Sequence, residues 1–268
     1  MVDQNIIKNL KINKDKNIGN VIVVVEGEED EFKLLKQIFE KILDYNCVYI
    51  KRGNKNKVVY RSKNNKNSVV TIINTKSSNI ETVLSDKDYK EQLFSLISDN
   101  YNNSLKNVPI YILWDRDRES HSASLIKKLL KIFGSSRDND YDMNGLLLLS
   151  YSCIEAYELS TFKKRSWMID FKTSSEAKAN IRMQKHDKNY NNHKINENSI
   201  LLAIGNMNNT LKEFNIFDYD IDNFKSTNLK IFDKEERYYK ETKKIKVLSL
   251  ISIMLFDLGI IEEIDKKQ

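Results

Sequence analysis

The chain has 268 residues, 40% of them hydrophobic, enough for a real core, and its Lys+Arg 44 against Asp+Glu 38 leave a formal net charge of +6 and a pI near 9.0. So mild an excess excludes a histone-like class and suits a polyanionic partner and a lysine-rich solvated surface about equally. Two distant cysteines, Cys47 and Cys153, form no CxxC pair, which gives no zinc or redox motif and fits a reducing, cytoplasmic setting.

In chain order, the lysine-dotted start MVDQNIIKNLKINKDK has no apolar stretch of the kind a signal peptide needs. Val21 to Val25, VIVVV, is a β-branched run typical of a strand buried on both faces. EEDEFKLLKQIFEKILD then spaces Phe32, Leu35, Ile38, Phe39 and Ile42 as one face of a helix, with acids in the first turn where the helix dipole favours them. CVYIKR, the basic loop GNKNK, VVYRS and VVTIINT follow as strands or a hairpin, and a second helix is expected within Ile80 to Tyr101.

Pro109, the only proline, opens the apolar strand VPIYILW, which runs into DRDRES and then the helical pattern SASLIKKLLKIF. GLLLLS is a further strand, leading into YSCIEAYELSTF. This alternation predicts an α/β fold with a largely parallel sheet flanked by helices, whose active site collects at the carboxyl ends of strands. From Lys163 the chain turns polar, basic and Asn-rich, with helices expected around Ile200 to Phe214 and Glu235 to Ile261. The expected division is therefore 1–162 and a mainly helical 163–268. The longest apolar run, Val247 to Phe256, is too short to span a bilayer and is expected to be a buried helix or a subunit interface.

The chemistry-bearing residues sit after the strands. Glu26 follows VIVVV, and Asp115 and Asp117 end VPIYILW with a spacing that projects both carboxylates to one side. Three carboxylates brought together repel unless a cation lies among them, and hard oxygen donors suit Mg²⁺ or Mn²⁺. A plain helix N-terminus accounts for Glu28, Glu29 and Asp30 but not for the glutamate at the strand edge. An exposed turn paired with Arg116 and Arg118 is the alternative for the aspartates. Glu155, three residues after Ser152, fits a capping box as well as a site.

VVVEGEED and ILWDRD resemble the glutamate and DxD motifs of TOPRIM (Rossmann-like) domains, over roughly Val21 to Phe162. LLLLSYSCIEAYEL is similar to an element of the OLD-like and RloB-like branch, and the layout resembles the AriB effector subunits of PARIS-type anti-phage defence systems. The resemblance implies a metal-dependent nuclease with Glu26 as general acid/base or metal-linked residue and Asp115 and Asp117 as metal ligands. It makes Asp30 and Glu155 candidates for a second metal or for orienting the first. It also implies an RNA substrate, tRNA in particular, ahead of DNA, and an ABC-type ATPase sensor subunit that holds the chain inactive until it is released, as a homodimer through the apolar C-terminal helix.

Lys51, Arg52, Lys55 and Lys57, with Lys163, Lys164 and Arg165, flank two strand ends and are candidates for a nucleic-acid backbone, as are Arg116 and Arg118. Tyr60, Trp114 and Trp167 offer base-stacking surface, although aromatics in such settings usually pack in the core. His121 reads as structural, and His186 and His193 lack ligand spacing. Two rivals stand beside the nuclease: an inactive nucleic-acid-binding or docking subunit, and a phosphatase of the haloacid-dehalogenase type, whose nucleophilic DxD ends the first strand. No GxxxxGK[ST] is present, so any ATPase belongs to a partner.

Overall fold

The structure, a computed structural model, describes residues 9–27, 29–50, 57–75, 86–101, 105–137, 144–185 and 195–264. Its elements are β1 (Leu10–Ile12), β2 (Asn20–Val25), α1 (Asp30–Lys36), β3 (Tyr45–Ile50), β4 (Lys57–Ser62), β5 (Val69–Asn74), α2 (Asp86–Asn100), β6 (Ile110–Asp115), α3 (Ala123–Ile132) and β7 (Leu146–Tyr151). They continue with α4 (Glu155–Phe162), β8 (Asp170–Phe171), α5 (Ser174–Lys185), α6 (Glu197–Glu213), α7 (Phe224–Thr242), β9 (Ile245–Lys246), β10 (Leu248–Ser249), α8 (Ile251–Asp257) and β11 (Ile261–Glu263).

The main sheet has seven strands in the order β10-β7-β6-β2-β5-β4-β3. It is mixed: β2 runs parallel to β5 and β6, whereas the β3-β4-β5 meander and the β7–β10 pair are antiparallel. The largely parallel sheet expected from the sequence is thus confined to its centre. Contacts divide the chain into two compact units, residues 14–113 with 124–147, and residues 1–13, 114–123 and 148–268. The expected boundary between 162 and 163 falls inside the second of these.

In the first unit, Val21 to Val25 are completely buried, as an aliphatic strand with neighbours on both sides must be. Four of the five residues of the predicted helical face after it, Leu35, Ile38, Phe39 and Ile42, are buried. Glu31, Leu34 and Leu35 are the buried residues of α1, and Phe32 is only half-buried. The chain then widens into a π-helical turn at Gln37–Ile42 that buries Ile38, Phe39 and Ile42. Phe39 meets Tyr45 edge-on at 5.5 Å and stacks on Tyr60 at 6.1 Å. Tyr60 is therefore core, not a surface for bases.

The second unit is built round α4, whose residues from Glu155 to Thr161 are all buried. Cys153, Ala156, Leu159, Phe171, Ala177, Ile181 and Val247 form an apolar cluster against it. Here β10 extends β7 through Leu248↔Tyr151 and Ser249↔Ser150, and the two serine hydroxyls meet at 2.8 Å. The helical stretch expected around Glu235 to Ile261 is two helices with short strands between them. α7 ends at Lys243, which takes a left-handed conformation (φ 59°), and β9 and β10 intervene before α8. Ile251, Ile253, Met254 and Leu255 of α8 are at most 1% exposed within their own unit. The apolar run is thus a buried helix, the first of the two readings expected for it. Among the described residues, no helix is long and apolar enough to cross a membrane.

Candidate functional site

In the first unit, Glu26 follows β2 directly and is half-buried, and Asp30 opens α1. Between them the chain makes a close turn: the Gly27 N–H donates to Glu31 Oε1 at 3.1 Å. A Cβ on residue 27 would lie within 3.0 Å of the Glu31 carboxylate, so that side chain would have to swing away from the Gly27 N–H. Burial pushes the Glu31 carboxyl up, the charges of Glu26 and Asp30 add to the rise, and the Gly27 N–H opposes it. The sequence held no sign of Glu31, which looked like one more acid in a helix's first turn.

The second unit gathers Asp115, Asp117 and Glu155. Asp115 ends β6 with its side chain 14% exposed, and Lys178 on α5 places its Nζ 3.7 Å from Asp115 Oδ2. Asp117 accepts from Glu119 N–H at 3.1 Å and Ser120 Oγ at 2.8 Å, and from Ser174 Oγ, at the start of α5, at 3.2 Å. Burial would raise its carboxyl, but those three donors and the charge of Lys178 outweigh burial and hold it below the usual range. Asp117 is thereby kept ionised.

Glu155 is 3% exposed, and its Oε2 is buried with no hydrogen-bond partner. The capping-box expectation fails, since α4 starts from Ile154 without a side-chain cap. Ser152 instead lies with its Oγ 3.9 Å from Cys153 Sγ, and its carbonyl accepts from Ser174 Oγ at 3.5 Å. Burial lowers the Lys178 ammonium, while Asp115 foremost, then Glu155, Cys153 and Asp117, raise it to a net increase. Cys153 is driven well up by burial and by the charges of Glu155 and Asp115. That favours the thiol over the thiolate. Ser174 and Lys178 escaped sequence reading because nothing separates Lys178 from the other basic residues until α5 brings them to Asp117 and Asp115.

The arginines of DRDR turn inward, which corrects the expectation that they contact phosphate. Arg116 is 2% exposed, with Nε and Nη2 on Glu236 Oε1 at 3.1 and 2.9 Å, and Nη1 on the carbonyls of Asp117 and His121 at 3.2 and 2.9 Å. Arg118 donates to Glu236 Oε2 at 2.7 Å and lies 4.0 Å over the Tyr239 ring. Trp114 is 8% exposed and stacks on His121 at 5.7 Å, so neither ring is a free surface. Lys163, Lys164 and Arg165 form an exposed turn at the end of α4 remote from Glu155. Lys57 opens β4 and is half-buried. Lys51, Arg52, Lys55, His186 and His193 lie outside the described residues.

Among the described residues, no three His, Cys, Asp or Glu side chains converge closely enough to hold a metal as they stand. The donor set nonetheless fits a hard cation, since all its members are carboxylates and one buried Glu155 oxygen lacks a partner. Lys178 supplies the compensating positive charge in this arrangement. Comparison with protein-family models, with curated proteins and with solved structures gives no match.

Proposed function

We propose that the chain is a Mg²⁺- or Mn²⁺-dependent nuclease of TOPRIM type that hydrolyses phosphodiesters. The observation that carries this reading is the buried, unpartnered Glu155 oxygen beside Asp115 and an Asp117 held ionised by three donors. Three carboxylates share the ammonium of Lys178 there, and hard oxygen donors of this kind suit a divalent cation.

Asp115, Asp117 and Glu155 would hold the ion, which when bound lowers the pKa of an attacking water and stabilises charge on the leaving oxygen. Ser120, Ser174 and the Glu119 N–H fix the Asp117 carboxylate in place. Lys178 offsets carboxylate repulsion and keeps its proton, since Asp115 and its neighbours favour the charged form. A proton-transfer role for Glu26 and an accessory role for Asp30 rest on the resemblance of VVVEGEED alone.

RNA, with tRNA first, a defence role and an ATPase partner rest on the resemblance of VVVEGEED, ILWDRD and LLLLSYSCIEAYEL alone. The deciding comparison is wild type against Glu26→Gln and Asp115→Asn/Asp117→Asn, on total tRNA and on supercoiled plasmid, with Mg²⁺, Mn²⁺ or EDTA. Metal-dependent cleavage lost in both variants is expected. A folded wild-type chain that neither cuts nor binds metal overturns the proposal.

A further inference from the structure

We propose that Glu236, on α7, is the positioning residue of the Asp115/Asp117 pair, acting through the two arginines that alternate with the aspartates. The inference rests on the reading of that pair as metal ligands, and deepens it. Glu236 divides its carboxylate between the two guanidinium groups, Oε1 taking Nε and Nη2 of Arg116, and Oε2 taking Nη1 of Arg118.

Arg116 is locked from every side. Its third nitrogen, Nη1, closes the turn after β6 by binding the carbonyls of both Asp117 and His121, while its backbone N–H donates to Ser150 O at 2.8 Å. His121 N–H in turn donates to Asp117 O at 3.1 Å. Phe232 and Tyr239, flanking Glu236 on α7, lie under the planes of Arg116 and Arg118 at 5.7 and 4.0 Å. Arg118 Nη2 also reaches the Glu235 carbonyl at 3.5 Å.

With 116 and 118 pinned to α7, the backbone of 115 and 117 has little freedom, and their carboxylates are left to Lys178, Ser120 and Ser174. Two nitrogens of Arg116 on one Glu236 oxygen and one of Arg118 on the other fix orientation as well as charge, which a lysine at either position would not reproduce. The helix thus acts on the spacing of the two acids through the arginines between and after them.

The test compares Mn²⁺ binding, by calorimetry and by the Mn²⁺ electron paramagnetic resonance signal, in wild type, Glu236→Gln and Arg118→Lys. Hydrogen exchange is followed over 115–121. Glu236→Gln is expected to weaken Mn²⁺ by about tenfold or more, with faster exchange concentrated in that segment, and to add nothing once Asp117→Asn is present. Arg118→Lys, which keeps the charge and loses the planar guanidinium that reaches both Glu236 and the Glu235 carbonyl, is expected to fall between; it also carries the comparison should Glu236→Gln not fold. Wild-type affinity and exchange in a folded variant overturn the positioning role and leave the metal reading standing. A wild-type chain that binds no Mn²⁺ overturns both.

Discussion

Glu235 and Glu236 are adjacent in sequence and opposite in circumstance. Glu236 is paired twice with arginine, whereas Glu235 is fully buried, accepting only from Lys246 N–H at 3.1 Å on one oxygen, with the other lacking a hydrogen-bond partner. Burial, reinforced by Glu236 and opposed by Arg118 and Lys246, pushes the Glu235 carboxyl up to about 8. Between an unfolded value near 4.5 and that figure, the folded state keeps a proton that the unfolded chain has lost. Stability therefore falls as pH rises through this window, by at most about 1.4 kcal/mol per unit. Thermal denaturation of Glu235→Gln is expected to show a gain over wild type at pH 8 that is absent at pH 5; parallel curves would refute the assignment. At Gly27, substitution by alanine is expected to displace the Glu31 carboxylate from the Gly27 N–H and cost about 1–3 kcal/mol, measured by chemical denaturation.

At the scale of elements, α4 shows how a wholly buried helix is satisfied. Ser160 Oγ returns to Ala156 O at 2.8 Å and Thr161 Oγ1 to Glu158 O at 2.6 Å, so the hydroxyls are absorbed by the helix itself. The last carbonyls need a donor from elsewhere, since helix ends leave them orphaned. Asn206, 1% exposed on α6, supplies it by donating to both Ser160 O and Lys163 O at 3.0 Å. Asn206→Ala is expected to lower the urea midpoint by the equivalent of about 1–3 kcal/mol with an unchanged slope. A loss of a few tenths would show that α4 does not depend on this cap. The helix matters to the site because Glu155 is its first residue.

For the whole molecule, the proposed ion is a ligand of the folded state and should stabilise it by mass action. At a Mg²⁺ concentration 100 times its dissociation constant the gain is about 2.7 kcal/mol, read as a rise in melting temperature. The rise is expected to vanish in Asp115→Asn/Asp117→Asn. An equal rise in that variant would place binding elsewhere on the chain.

The strands were legible because their hydrophobic runs are extreme. β-Branched and aromatic runs such as VIVVV and VPIYILW suit a buried strand, and an acid directly after each is visible without coordinates. α3 and α6 were legible from period alone. What the sequence could not express was partnership across long separations. Whether Arg116 faces phosphate or Glu236 depends on α7, some 120 residues on, and the same DRDR would read identically in either case. Lys178, Ser174 and Asn206 acquire their roles only when helices pack, because hydrogen bonds and ion pairs of this kind leave no periodic trace in the chain. The sequence by itself determined which segments are buried and where charge gathers, since hydrophobic patterning is local. The tertiary structure alone decided which charges pair, since pairing is settled by distances between elements that the linear order does not contain.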